Sequence, residues 1–184
     1  MKKGIRRAAG PLALLLLCGA HPWGRPGQVQ YRGNQESLPR SVAPQPVAFS
    51  HRLHAEAEIG CEFCHVDAAD GVRAGLPGSR QCMDCHQVIG TESPEVQKLA
   101  ALHGQSLEGG EPLEWVRVYE VPGFVFFSHA SHVGAGVECA SCHGPVERRE
   151  VLAKELSTSM ITCMNCHERR GVSNECFLCH ELGQ

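Results

Sequence analysis

Cys61-Glu62-Phe63-Cys64-His65 is the first of five stretches built on one pattern. Cys82-Met83-Asp84-Cys85-His86, Cys139-Ala140-Ser141-Cys142-His143, Cys163-Met164-Asn165-Cys166-His167 and Cys176-Phe177-Leu178-Cys179-His180 repeat it. Cys-x-x-Cys-His is the attachment signature of a c-type haem. In a helical turn the cysteines at i and i+3 share a face and can both reach the vinyl edge of one porphyrin, while the histidine at i+4 points from that face at the iron. Zinc knuckles and disulfides also use paired cysteines, but neither requires a histidine directly after the second one. Five motifs therefore predict five covalently attached haems c, with His65, His86, His143, His167 and His180 as proximal iron ligands.

Of eleven cysteines, only Cys18 lies outside the motifs. Residues 1–20 read as an export signal: Lys2, Lys3, Arg6 and Arg7, then the apolar run Leu12–Leu17, then the small residues Gly19 and Ala20 at a cleavage site. Two other readings are lipidation at Cys18 and retention as an anchor. Leu17 is bulky for a lipobox, and Pro11–Ala20 offers ten residues against the ~20 needed to span a bilayer. Without the leader, 13 basic residues face 20 acidic ones, a net charge of −7 with histidine neutral. That balance argues against nucleic acid as a partner and favours a basic docking surface.

The 164 residues after the leader are poor in aromatics and rich in Gly and Pro, so the apolar content between motifs is thin. The expectation is a mostly irregular chain with short α-helices and little β structure, whose core is formed by five haems. Residues 21–45 read as a flexible linker and 46–184 as the haem domain. Within it Phe49-Ser50-His51-Arg52-Leu53-His54 precedes Cys61, and Phe127-Ser128-His129-Ala130-Ser131-His132 precedes Cys139, at a constant offset of 78 residues. Two two-haem repeats, 49–86 and 127–167, then account for four motifs, and 176–180 is an appendix. Between the repeats Ser93, Pro94, Glu95 and Gly104 mark the ends of a helix whose apolar stripe runs through Val96, Leu99, Ala100 and His103. Trp115–Tyr119 alternates like a short strand up to Pro122-Gly123.

Besides the five proximal histidines and His21, the chain has His51, His54, His103, His129 and His132. Five haems would find five distal ligands among them, each with its other ring nitrogen held by a carbonyl or carboxylate. His103 stands alone on an apolar face, where a core role competes with ligation. A methionine such as Met160 is the alternative ligand, and it would raise the potential of its haem. Met83 and Met164 read as residues that pack on the ring or face outward. Trp115, Phe124, Phe126 and Phe127 read as haem-packing residues, and Glu147, Arg148, Arg149 and Glu150 as a solvated face.

The Phe-Ser-His-x-x-His segments, each with Cys-x-x-Cys-His seven residues on, resemble the class III multihaem cytochromes of the c3 and c7 type. Gln45–His51, Ser93–Leu99, Pro112–Val118, Phe127–His132 and Cys142–Glu147 are similar to the pentahaem subunit of alternative complex III. That resemblance implies a cytochrome subunit working with membrane subunits that oxidise quinol and with a downstream periplasmic cytochrome or oxidase. It also implies that the first histidine of each segment serves the next haem, so that His51 pairs with the haem of Cys61 and Cys64, and His129 with that of Cys139 and Cys142. The partners of His54 and His132 stay open. The family subunit is tethered by an N-terminal membrane helix, which the short apolar run here does not match.

Three functions fit these features: a non-enzymatic electron conduit in a membrane quinol-oxidising complex, a free periplasmic electron shuttle, and a multihaem reductase of nitrite or a similar oxyanion. The reductase needs an iron with an open site, whereas the sequence offers five distal histidines. The conduit in a complex is the preferred expectation, exported and membrane-associated through its partners.

Overall fold

In the computed structural model, residues 37–41, 44–105 and 113–181 are described. The leader with Cys18, His21 and most of the linker lie outside them. The described segments belong to one compact unit, Tyr31–Gln184.

Short helices dominate: α1 (His51–Glu56), α2 (Cys61–Cys64), α3 (Ser79–His86), α4 (Pro94–Gly104), α5 (His129–Gly134), α6 (Ala140–His143), α7 (Met160–Arg170) and α8 (Cys176–Cys179). A 3-10 turn occupies Val146–Arg148, and one antiparallel ladder of two-residue strands joins β1 (Arg40–Ser41) to β2 (Ala153–Lys154). This is the architecture of short helices, irregular connections and little sheet expected from the sequence.

The two repeats fold alike down to single atoms. Ser50 caps α1 by accepting from Leu53 N at 3.2 Å, and Ser128 caps α5 by accepting from Ser131 N at 3.3 Å. Such caps satisfy amides that a one-turn helix cannot satisfy itself. Each helix ends in a left-handed residue at the same place in the repeat, Glu58 at φ 60° and Gly136 at φ 68°. Glycine takes that conformation without a Cβ penalty; Glu58 takes it under strain because the same turn must deliver Cys61.

The halves are tied together by backbone and charge. Arg52 N donates to Arg149 O at 3.1 Å, and its guanidinium pairs with Glu150 and Glu56. Arg149 Nη2 reaches Glu155 Oε2 at 2.8 Å. The Glu147–Glu150 cluster is thus not simply a solvated face; two of its four charges bind other parts of the chain. A second tie joins Ala130 N to Gly71 O at 2.9 Å. Gly71 is required there, since a Cβ would come within 2.8 Å of two carbonyl oxygens.

Two expectations are corrected. Arg40–Ser41, at the end of the stretch read as linker, is paired with β2, and Gln45 Nε2 donates to Val116 O at 3.0 Å. Trp115–Tyr119 forms no ladder. Its alternation instead sends Trp115 Nε1 to Pro77 O at 2.8 Å and makes the Tyr119 hydroxyl an acceptor for Glu155 N at 3.0 Å. The helix read between the repeats is α4, with Pro94 in its first turn; Glu95 accepts from Ala48 N at 2.7 Å, fastening it to the segment before α1.

Among the described residues the buried apolar side chains are only Val47 and Leu99, while Phe63, Phe124, Phe126 and Phe177 are more than half exposed. Such a chain presents its apolar surface to something other than itself.

Candidate haem-binding site

Three of the motif histidines are held firmly by backbone carbonyls. Nδ1 of His65 donates to Gly75 O at 2.9 Å, that of His86 to Ile89 O at 2.9 Å, and that of His167 to Ser173 O at 3.2 Å. His54 Nδ1 donates to Ser50 O at 2.8 Å, His132 Nδ1 to Ser128 O at 2.7 Å, and His129 Nδ1 to Val72 O at 3.0 Å. A proton fixed on Nδ1 leaves the lone pair on Nε2, which is how a metal-binding imidazole is oriented. His180 Nδ1 makes a longer contact, 3.4 Å to Glu181 O.

Phenylalanine sets the angle of each upstream pair. Phe49 stacks on His54 at 4.4 Å and meets His51 edge-on at 4.8 Å, and Phe127 stacks on His132 at 4.7 Å and meets His129 edge-on at 4.8 Å. The repeated Phe-Ser-His-x-x-His is therefore a small device: one ring orients two imidazoles, one stacked on it and one edge-on.

Three of these imidazoles stand beside motif histidines at nearly one separation. Ring centroids are 6.1 Å apart for His54 and His86, 6.4 Å for His129 and His143, and 6.2 Å for His132 and His167. Two imidazoles bound through Nε2 to one metal at ~2 Å each would stand about 6 Å apart, centroid to centroid. His51 and His65 are close enough to repel each other's charge, and burial with that repulsion pushes His51 down to about 4. At neutral pH its lone pair is free. His143 is also lowered, by burial first and then by His129 and His65. The donor set and its spacing fit haem iron. Among the described residues no group of three or more Cys, His, Asp and Glu converges on one point, which a zinc knuckle would need.

Cysteines of different motifs are neighbours. Cys64 is raised by burial and then by Cys61 and Cys85; Cys82 by burial and then by Cys64. Cys139 is raised by burial and then by Cys61, Cys142 by burial and then by Cys166, and Cys163 by burial and then by Cys142 and Cys179. These pairs put the second motif beside the first, the first beside the third, the third beside the fourth and the fourth beside the fifth.

The family described as class III cytochrome C matches residues 28–109, and the family described as cytochrome c7 and related cytochrome c matches residues 125–181, one on each repeat. The chain is 30% identical over 168 residues, 77% of its own length and 79% of the relative's, to the multiheme cytochrome c subunit of menaquinone reductase from Nitratidesulfovibrio vulgaris. The chain belongs to the class III, c7-like multihaem cytochromes c. Members of this family bind haem c covalently and transfer electrons, so the fold class expected from the sequence is that of the protein.

In this multihaem cytochrome the structure brings together four of the five upstream histidines with motif histidines. His103 is apart: its Nδ1 lies 3.1 Å from Ser79 Oγ at the start of α3. Met160 opens α7 and is 59% exposed, on the helix that carries Cys163 and Cys166. The sequence had not singled out the carbonyls of Gly75, Val72 and Ile89 or the Tyr119 hydroxyl, which donates to His143 O at 3.2 Å. Backbone acceptors leave no residue signature, although Gly75, at φ 76°, marks one of the turns that present them.

Proposed function

We propose that this cytochrome carries five haems c, one on each Cys-x-x-Cys-His motif, and conducts electrons along the series second, first, third, fourth, fifth. The ligand pairs are His65 with His51, His86 with His54, His143 with His129, and His167 with His132. The observation that carries this reading is the set of facing imidazoles at 6.1, 6.2 and 6.4 Å with their Nδ1 protons tied to carbonyls or their rings buried. The chain's part is to fix ligand orientation, exclude water and set each potential, and it catalyses no bond chemistry of its own.

The conduit works, on this reading, as the exported cytochrome subunit of a membrane quinone-linked complex. The relative's role as a subunit of menaquinone reductase supports it, as do the leader-like residues 1–20 and the linking segments similar to alternative complex III. The relative is named for reducing a quinone, whereas the resembled subunit serves quinol oxidation. One haem series serves both, since the potentials at its two ends decide the direction. Membranes solubilised in detergent are expected to yield the mature chain with five haems by intact mass and pyridine haemochrome, copurifying with polytopic subunits. Recovery only as a soluble monomer would remove the complex, and fewer than five haems would remove the series.

A difference between the repeats predicts a difference in potential. His129 Nδ1 donates to Val72 O, but His51 Nδ1 is buried without a hydrogen-bond partner. A bonded Nδ1–H makes the imidazole a stronger donor and favours the oxidised iron. The first haem is therefore expected to titrate above the third, by ~60 mV for each tenfold difference in relative ligand affinity. A haem-resolved redox titration by NMR checks this, and a third haem at equal or higher potential refutes it.

A further inference from the structure

The fifth motif departs from the other four. His51, His54, His129 and His132 are each placed beside a motif histidine, which leaves His103, among the described residues, as the upstream histidine available to His180. The two lie at opposite ends of the series. His103 contacts Ser79 at the head of α3, the helix of Cys82 and Cys85, whereas His180 follows α8 at the far end of the sequence of neighbouring cysteines. The segment 115–126 traces the same distance. Trp115 Nε1 donates to Pro77 O beside α3, the Tyr119 hydroxyl donates to His143 O, Thr158 Oγ1 donates to Glu120 O, and Phe126 N donates to Cys179 O at 2.6 Å. One extended strand of chain passes from the second motif to the fifth, and His103 stays behind.

At the fifth motif a different ring stands at the ligand separation. The Phe124 centroid lies 6.3 Å from that of His180, with planes at 87°. Facing imidazoles at the other motifs stand at 6.1, 6.4 and 6.2 Å. A phenyl ring has no lone pair to give a metal. Phe124 sits in the turn after Pro122, closed by Val125 N donating to Pro122 O at 2.9 Å, and it is 66% exposed, so it can swing without disturbing a core.

We propose that Phe124 takes the place of a distal ligand opposite His180, so that the haem on Cys176 and Cys179 is five-coordinate beneath a movable aromatic cover and binds small π-acceptor ligands such as carbon monoxide, nitric oxide or cyanide. This rests on the five-haem reading above. The site lies at one end of the series, where a bound ligand would block electron entry or exit without breaking the internal contacts between motifs.

The test uses the full, matured chain, with five haems first established by mass and pyridine haemochrome so that failed attachment is told apart from a failed coordination assignment. The reduced protein is expected to bind one equivalent of carbon monoxide, and the oxidised protein to show one high-spin haem by EPR. Phe124→His should abolish carbon monoxide binding and convert that haem to low spin. Phe124→Ala should keep the one equivalent and bind it several-fold faster. Wild-type protein that binds no carbon monoxide and is wholly low-spin overturns the assignment. A near-infrared thioether charge-transfer band, or a new carbon monoxide site in His103→Ala, overturns it by naming a methionine or His103 as a ligand.

Discussion

A chain denied haem attachment is expected to remain unfolded. Its helices run from four to eleven residues, and isolated helices shorter than ~12 residues are marginal in water. The only sheet among the described residues is a two-residue ladder. Tertiary burial would have to supply the stability, yet Val47 and Leu99 are the only buried apolar side chains among the described residues. The motif residues Phe63 and Phe177 point apolar rings outward, at 52% and 70% exposure, where a macrocycle bound to the adjacent cysteines would cover them. Ion pairs between Arg52, Glu56 and Glu150 are half-exposed and too weakly stabilising to replace a core. Replacing the ten motif cysteines by serine, or producing the chain without haem ligation machinery, should abolish the far-UV helical signal and any cooperative thermal transition. A cooperative transition in the haem-free chain would show that the polypeptide has a core of its own.

What the sequence disclosed and what it hid follow from the range of the forces involved. Cys-x-x-Cys-His and the Ser93–Gly104 helix are local patterns, and both appear where the residues place them. The offset of 78 residues announced a duplication, and the matched caps at Ser50 and Ser128 are its structural counterpart. Trp115–Tyr119 misled because alternation shows only that two faces differ; here one face anchors an indole and a phenol, and no strand pairs with it. The end of the linker misled for the opposite reason, since Arg40–Ser41 has no apolar pattern and is ordered by a partner more than a hundred residues away. Which motif His54 and His132 serve depends on how one repeat folds back on itself, and no spacing rule encodes that. The ring separations do. His103 lies on the helix face expected of it, but its neighbour Ser79 opens α3, the helix of the second motif, whose facing imidazole is already His54.

The ligand scheme makes its sharpest demand on histidines three residues apart. His51 and His54 share one short helix and one orienting ring, Phe49, yet they are assigned to different haems: His51 to the first, His54 to the second. His54→Ala should therefore convert the haem on Cys82 and Cys85 to high spin and leave that on Cys61 and Cys64 low-spin. His132→Ala should act likewise on the haem of Cys163 and Cys166, because His132 faces His167. Loss of an imidazole from the iron should raise the potential on the order of 0.1 V, a fraction of the ~0.8 V that axial ligands span. The functional consequences should differ although the chemistry is the same. The second haem ends the series, so His54→Ala should impair exchange with one external partner only. His129→Ala alters the middle member, the haem whose Cys139 neighbours Cys61, and should slow electron passage between the first pair and the last pair while each pair still reduces readily from its own side. Haem-resolved EPR of the three variants, with stopped-flow reduction, separates these outcomes. If His54→Ala changes the first haem instead, the series and its ligand pairing fall together, because both rest on the same facing rings.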